Sequence, residues 1–233
     1  RIASRLSYFL WGTMSDQALL DAAESEALLE PIELRYQALR MLRDPRAEAF
    51  VADFTDGWLG LAKLGQVMPD STKFSFYTTH ELEKSMREET RSFFRYILEE
   101  NRDLAEFLVS GYTFVDRNLA KHYGIEHAHL DEVHQKVELP ANSHRGGLLG
   151  QAGVLTVTAN GVDTSPVVRG VWILENILGT PPSPPPPDVP ALEPDIRGAT
   201  SIRDQLAKHR EIATCNECHR KMDPLGFALE NFD

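Results

Sequence analysis

The sequence predicts a mainly α fold, with a helical bundle over residues 1–135 and a smaller helical module over residues 136–233. Two observations lead to this prediction. Apolar residues in the first part recur at spacings of three and four, which places them on one face of a helix. Many of these stretches also begin or end with residues typical of helix termini. No internal repeat is present.

The first helices are bounded by clear start and stop signals. Gly12 closes the first apolar stripe, and Ser15 is the expected N-cap of the next helix. Asp44 and Pro45 predict a further start, with proline at the first helical position. Three aromatic residues then recur at four-residue spacing on one face and are expected in the core: Phe50, Phe54 and Trp58.

The longest predicted helix lies in "TTHELEKSMREETRSFFRYILEEN". Thr78 and Glu81 have the spacing of a capping box. Glu88 and Glu89 are expected on its solvated face. Its predicted buried face consists of Leu82, Met86, Phe93, Ile97 and Leu98.

The stretch that follows changes in character. Two shorter helical pieces are predicted around Gly111, and the second ends at Gly124. The segment "HRGGLLGQAGVLTVTANGVDTSP" is rich in glycine, threonine and valine, so we expect loops with short extended pieces there.

The second module is predicted to contain two helices separated by a proline-rich segment. Pro166 begins a helix over residues 166–178, and Gly179 follows its end. Proline lacks the amide hydrogen that helices and sheets need, so residues 181–194 are expected to form an extended polyproline strap, with a disordered linker as the alternative. A second helix is predicted over residues 201–213.

Both cysteines of the chain lie in the motif Cys215-x-x-Cys218-His219, at residues 215–219. A disulfide between them would close a very small loop and stabilise little. A thioredoxin-like redox pair usually follows a strand of a βαβ unit, and the flanks here look helical. A structural zinc site needs four ligands, typically two such pairs. The remaining chemistry is c-type haem attachment, the specific interpretation of CxxCH.

Haem attachment explains all three residues of the motif. The two thiols would bind one haem c covalently, and His219 would be the proximal iron ligand. The distal ligand is not predicted. The walls of the haem pocket are expected to come from the helices that flank the motif, through Val167, Val171, Trp172, Leu174, Leu206 and Leu225.

His209 lies on the apolar face of the helix that leads into the motif. Ser201 and Asp204 predict a capping box at the start of that helix. A core histidine bonded to a backbone carbonyl, a haem-propionate partner and an iron ligand are all open for His209. Because a continuous helix would place it nearly two turns from Cys215, a contact with the haem edge is expected rather than ligation. Met222 follows His219 too closely to reach the opposite haem face easily and is expected to pack.

Composition excludes several functions. A net charge of −11 and the lack of a basic stripe argue against nucleic-acid binding. No run of about 20 apolar residues is present, so no membrane span is expected in this chain. The chain begins within an amphipathic pattern and ends without a terminal cap, so we expect it to be part of a longer polypeptide or complex.

Three segments carry a family resemblance. "RIASRLSYFLWGTMSDQALLDAA" resembles a helical module of large secreted cytochrome c-domain proteins of the planctomycete type. "HRGGLLGQAGVLTVTANGVDTSPVVRGVWILENILGTPPSPPPPDVP" and "HREIATCNECHRKMDPLGFALENFD" together resemble the adjoining module. Both modules are domains of unknown function. The resemblance implies an extracytoplasmic, cytochrome c-like haem module, with haem roles at Cys215, Cys218 and His219, and a further module beyond Asp233.

Three functions remain open. Electron transfer by one haem, with a redox partner protein, is the first, since no acid-base constellation is recognisable. A peroxidase-like or oxidase-like haem enzyme with an open distal site is the second. The third is a module that binds a carbohydrate or protein partner and carries a structural haem. Iron coordination separates the first two, because a filled sixth position favours electron transfer.

Overall fold

The computed structural model describes residues 1–66, 68–79, 81–126, 129–183 and 201–232, and the predicted mainly α class is confirmed. The α-helices of the described residues are α1 (Ile2–Trp11), α2 (Gln17–Glu24), α3 (Pro31–Leu42), α4 (Glu48–Leu59), α5 (Ser75–Thr79), α6 (Leu82–Glu99), α7 (Arg117–Tyr123), α8 (Ala152–Val157), α9 (Pro166–Trp172), α10 (Ile202–His209) and α11 (Ala213–Phe227). A π-helical turn, Ile173–Ile177, continues α9. Shorter 3-10 turns occupy Ala27–Leu29, Pro45–Ala47, Leu61–Lys63, Leu104–Phe107 and Leu148–Gly150.

Several predicted helix boundaries are confirmed. Gly12 and Gly124 follow α1 and α7 in left-handed conformations, with φ of 64° and 69°. Such backbone angles are easiest for glycine, which has no Cβ to clash. The Asp44 side chain accepts a hydrogen bond from the backbone N–H of Arg46. Ser201 likewise accepts one from the backbone N–H of Asp204 at 3.1 Å, so α10 has the predicted cap.

Two predicted caps are wrong. α2 is capped by Asp16, whose carboxylate accepts from the backbone N–H of Leu19 at 3.1 Å, and not by Ser15. Ser15 is instead hydrogen-bonded to the hydroxyl of Ser7. The capping box at the start of α6 is absent, because Glu81 is left-handed with φ of 49° and the helix begins only at Leu82.

The first helical piece predicted around Gly111 is the 3-10 turn Leu104–Phe107, and a strand of a two-stranded antiparallel sheet replaces the start of the second piece. β1 (Tyr112–Val115) pairs with β2 (Gln135–Glu138) so that Tyr112 lies opposite Glu138. Each strand has four residues, too few for an alternating pattern to stand out from a helical one. The rest of the second piece is helical as predicted and forms α7. The Gly-rich segment, expected as loops and extended pieces, contains helix α8.

Glu89 does not lie on a solvated face as predicted. It is completely buried in α6, where Thr113 of β1 and Tyr123 of α7 each donate a hydroxyl hydrogen bond of 2.6 Å to its carboxyl oxygens. Burial raises the pKa of Glu89 to about 7, against the lowering effect of these hydrogen bonds. The prediction failed because Glu89 faces a pair of elements that the apolar periodicity of α6 alone does not reveal.

The described residues form two hydrophobic cores. A small one joins α1, α2 and α3 and is built around Leu10, Trp11, Leu19 and Met41. The main core runs from the end of α4 through α6, the sheet, α7, α8 and α9 to the end of α11. Its fully buried members include Phe93, Val115, Leu148 and Val154, which come from both predicted modules.

The helix predicted over residues 201–213 is interrupted before the cysteine motif. α10 ends at His209, Ile212 is extended, and α11 begins at Ala213. α11 packs directly on α9, so its direction is set by α9 rather than by α10. The predicted polyproline strap over residues 181–194 lies outside the described residues except for residues 181–183.

Candidate functional site

The site is built on the contact between α9 and α11, where each helix presents a glycine to the backbone of the other. A Cβ atom placed on Gly226 would lie 1.7 Å from the carbonyl oxygen of Pro166. One placed on Gly170 would lie 2.1 Å from that of Met222. Both distances are far below any tolerated contact, so the two backbones can approach this closely only because both residues are glycine.

The cysteine motif occupies the first turns of α11. Cys215 is buried, Cys218 is half-buried, and both are free thiols. Residues three and four apart are neighbours on a helix surface, so Cys215, Cys218 and His219 share one face. The helix thus presents two thiols and one imidazole together. Met222, on the next turn, is buried, and its backbone packs against Gly170 as expected of a packing residue.

Asp223 holds the imidazole of His219. The Nδ1–H of His219 donates a hydrogen bond of 2.9 Å to Oδ1 of Asp223, in the tautomer that carries this hydrogen. Asp223 is completely buried, and its other carboxylate oxygen lies 3.6 Å from Nε of Arg210. With Nδ1 engaged, Nε2 is the ring nitrogen that remains for a metal.

His209 reaches the motif because the chain folds back between α10 and α11. Its ring meets that of His219 edge-on, with 4.7 Å between the centroids and an interplanar angle of 71°. His209 is half-buried rather than enclosed in the core. Partial burial and the neighbouring His219 lower the pKa of His209, while Asp223 opposes this effect.

The predicted pocket walls divide into two groups. Trp172 is buried in the main core, where its indole N–H donates a hydrogen bond of 3.0 Å to the carbonyl oxygen of Leu59. The other five are half-buried on α9, α10 and α11 or the turn after α9: Val167, Val171, Leu174, Leu206 and Leu225. α10 has no buried residue at all, so its apolar positions at Ile202 and Leu206 stay partly open to solvent.

The sequence motif indicates the two thiols and His219, but it does not include Asp223, which bonds to His219. Cys215, Cys218 and His219 lie together as the motif predicts, and His209 joins them. Asp223 was overlooked, although its position four residues after His219 is the spacing at which helical side chains meet. In the part of the chain that the structure describes, no three His, Cys, Asp or Glu side chains are arranged to hold a metal ion by themselves.

Comparison with protein families divides the chain in two. Residues 1–125 match the family PSD4, a protein of unknown function (DUF1592), which covers more than half of the chain. The chain belongs to the PSD4 family. Residues 145–233 match a second family, PSCyt3, also a protein of unknown function (DUF1588). The cysteine motif, α9 and α11 all lie in the PSCyt3 segment.

The PSD4 and PSCyt3 segments share the main core, which draws Leu82 and Phe93 from the first and Leu148 and Trp172 from the second. No curated protein and no solved structure matches the chain. Within the described ranges, none of the helices has both the length and the apolar character that a membrane crossing requires.

Proposed function

We propose that the PSCyt3 segment is a monohaem c-type cytochrome module that transfers electrons within a larger extracytoplasmic protein. Cys215 and Cys218 would attach one haem through thioether bonds, and His219 would bind its iron. The observation that carries this proposal is the shared face of the two free thiols and His219 on α11, with Nδ1 of His219 bonded to a buried carboxylate. A redox partner protein is expected to exchange electrons with the module.

The residues around the motif are suited to this role. A bound haem supplies reversible one-electron oxidation and reduction of its iron. The glycine contacts of Gly170 and Gly226 fix α11 on α9 and so fix the direction in which the thiols project. Asp223 orients the His219 ring, as outer-shell carboxylates do for metal-binding histidines. The half-buried apolar residues of α9 and α10 offer the cover that a porphyrin needs.

The position of His209 supports a role beside the iron rather than on it. Two imidazoles that share a metal on opposite sides, each at about 2.0–2.1 Å from it, have ring centroids roughly 6 Å or more apart. The centroids of His209 and His219 are 4.7 Å apart, which leaves no space for an iron between them. His209 therefore remains proposed as a contact at the haem edge.

The family comparison supports the coarser part of the proposal. The name PSCyt3 points to a cytochrome-related protein, and two adjoining family segments are typical of a multidomain polypeptide. The extracytoplasmic location rests on the resemblance to secreted proteins of the planctomycete type.

A haem enzyme is the second candidate, and the Asp223–His219 hydrogen bond is the observation that favours it. A carboxylate that accepts from the proximal histidine increases the electron-donating power of that ligand. Such a ligand stabilises oxidised iron, which suits peroxidase-like chemistry when the distal position is open. A six-coordinate low-spin spectrum in both redox states would favour electron transfer, and a five-coordinate high-spin spectrum would favour the enzyme.

Covalent attachment is the direct test. The chain is expressed with and without a c-type maturation system, and its mass is measured after denaturation. We expect the matured chain to gain the mass of one haem, and Cys215→Ser with Cys218→Ser to lose it. A matured chain with the mass of the bare polypeptide, or one that carries zinc instead, would contradict the proposal.

A further inference from the structure

A cavity of about 120 Å³ lies between the PSD4 and PSCyt3 segments, apart from the cysteine motif. Its walls come from the loop before α5, from α5 to α9 and the loops between them, and from the end of the described chain. Most of the lining is apolar and aromatic, with Phe74, Phe76, Tyr77, Met86, Leu155 and Phe232 as its largest contributors. An enclosed apolar cavity of about 150 Å³ accommodates benzene, so this somewhat smaller cavity, which is partly open to solvent, is of the order of a single small ring.

One end of the cavity is positively charged. The guanidinium of Arg145 lies between two aromatic rings, with its central carbon 3.8 Å from the centroid of Tyr123 and 4.5 Å from that of Phe232. Its Nη1 donates to the carbonyl oxygen of Gly150 at 2.7 Å. In the described part of the chain this guanidinium has no ion-pair partner, and its remaining N–H groups are left for another acceptor.

The other charged groups of the lining already have partners. Arg169 is paired with Glu230 at 2.6 Å, and Asp163 with Lys73 at 3.3 Å. Glu89, a buried acid next to Tyr123, accepts hydrogen bonds from Tyr123 and Thr113; the charge of Arg145 lowers its pKa, but the described residues show no ion pair between the two. The balance of unpaired charge in the lining is therefore positive.

His122 contributes a neutral ring to the aromatic wall rather than a second positive charge. Its ring packs on Phe76 with 5.4 Å between the centroids. Burial and the charge of Arg145 lower the pKa of His122, so the ring is uncharged at neutral pH. A cationic ligand would meet the charge of Arg145, whereas an anion would gain a charge-assisted hydrogen bond from it.

We propose that this cavity is a binding site for a small monocyclic carboxylate, with the ring among the aromatic side chains and the carboxylate on the free edge of Arg145. The site is independent of haem attachment. The most direct probe is benzoate, whose ring matches the cavity in size and whose charge complements Arg145. Benzyl alcohol and benzylamine are the neutral and cationic probes of similar shape.

Calorimetric titration of the full chain with benzoate tests the proposal. We expect saturable binding with a dissociation constant near or below ~1 mM, an ordinary value for a ligand of this size. Arg145→Gln and the replacement of benzoate by benzyl alcohol should each weaken binding by about tenfold or more, because each removes the charge-assisted hydrogen bond. Benzylamine should not bind measurably. Arg46→Gln is the matched control, since Arg46 also stacks on an aromatic ring, that of Trp11, but belongs to the α1–α3 core.

Ala159→Leu provides a second variant that leaves Arg145 in place and fills the cavity from its wall. We expect it to abolish benzoate binding while the melting temperature changes little. Lack of saturation at concentrations about tenfold above the expected constant would overturn the proposal. Equal affinity in the wild type and in both variants would do so as well. None of these measurements uses haem. Failure to bind benzoate would therefore leave the proposed cytochrome function unaffected, and failure to attach haem would leave the carboxylate site unaffected.

Discussion

The indole N–H of Trp172 donates a hydrogen bond of 3.0 Å to the main-chain carbonyl oxygen of Leu59. A second indole completes the arrangement in the opposite direction, since Trp58 donates to the carbonyl oxygen of Asn176 at 2.7 Å. Each indole N–H thus donates to a main-chain carbonyl oxygen of the other segment. The PSD4 and PSCyt3 segments are joined at this point by two hydrogen bonds, of which that of Trp172 is buried and that of Trp58 is partly buried.

Trp172→Phe tests how much the hydrogen bond between Trp172 and Leu59 contributes to stability. The change keeps an aromatic ring but leaves the carbonyl oxygen of Leu59 without its partner, which costs about 1–3 kcal/mol for a buried acceptor. We expect the free energy of unfolding in urea to fall by that amount in a single transition. The control is Tyr36→Phe, which alters an exposed ring of α3 and should change nothing. A loss of stability no larger than in the control would show that the bond is not a significant link.

Asp223→Asn should raise the reduction potential of the matured protein. The carboxylate favours oxidised iron through His219, and an amide removes the negative charge while keeping the shape. We expect a shift on the order of 60 mV or more, which is a tenfold change in a one-electron equilibrium. Glu217→Gln removes an exposed carboxylate from the same helix and is the matched control. Equal shifts in the two variants would mean that Asp223 acts only as one more surface charge.

His209→Ala should change the potential of the matured protein without changing the coordination number of the iron. The ring of His209 touches that of His219, so its removal alters the polarity and solvent access next to the metal ligand. Absorption and electron paramagnetic resonance spectra of the oxidised protein provide the measurement. Conversion of a six-coordinate low-spin iron to high spin would identify His209 as the distal ligand.

Glu89 should make stability depend on pH. Its pKa is raised to about 7 in the folded protein, against about 4.3 when unfolded, so the folded state holds a proton more tightly. The stabilisation is complete below the unfolded pKa and decreases as pH rises through about 7, by a few kcal/mol. Glu89→Gln, which resembles the protonated acid, should flatten this dependence between about pH 5 and pH 8. Parallel curves for the wild type and this variant would contradict the assignment, and Glu88→Gln serves as the control.

Gly226→Ala and Gly57→Ala form a matched pair of substitutions in helix interiors. A methyl group at Gly226 would collide with the carbonyl oxygen of Pro166, and neither backbone can yield, so we expect a loss of about 1–3 kcal/mol or more. Nothing lies within 4 Å of the corresponding position at Gly57 in α4, where alanine should stabilise by up to ~1 kcal/mol. Thermal unfolding of both variants compares them. A tolerated alanine at position 226 would show that α9 and α11 are farther apart than described.

Sequence patterns predicted those parts of the fold that depend on neighbouring residues. A glycine after an apolar stripe or an Asp-Pro pair acts within one turn, and the ends at Gly12, Asp44 and Gly124 were correct for that reason. The β1–β2 pair depends on residues twenty or more positions apart. No local propensity records which distant segment will meet Tyr112, so this sheet was missed.

The candidate site also has a part that depends on neighbouring residues and a part that depends on tertiary packing. The two thiols and His219 are a local motif and were predicted together. Asp223 precedes Pro224, and this dipeptide is typical of a helix end, yet α11 continues through it to Phe227 because packing on α9 holds the turn. The contact of His209 with His219 depends on the break after α10, which the apolar periodicity of residues 202–213 does not indicate.

The two glycine contacts between α9 and α11 also determine how these helices can be aligned. Sliding either helix along the other by one residue would bring a side chain, such as that of Val171 or Phe227, to a place where only a hydrogen atom can be accommodated. The pair therefore has a single allowed register, set by main-chain atoms that no rotamer change can move. A cofactor attached to α11 would therefore have a fixed position relative to α9, and its orientation would follow from the path of the backbone alone.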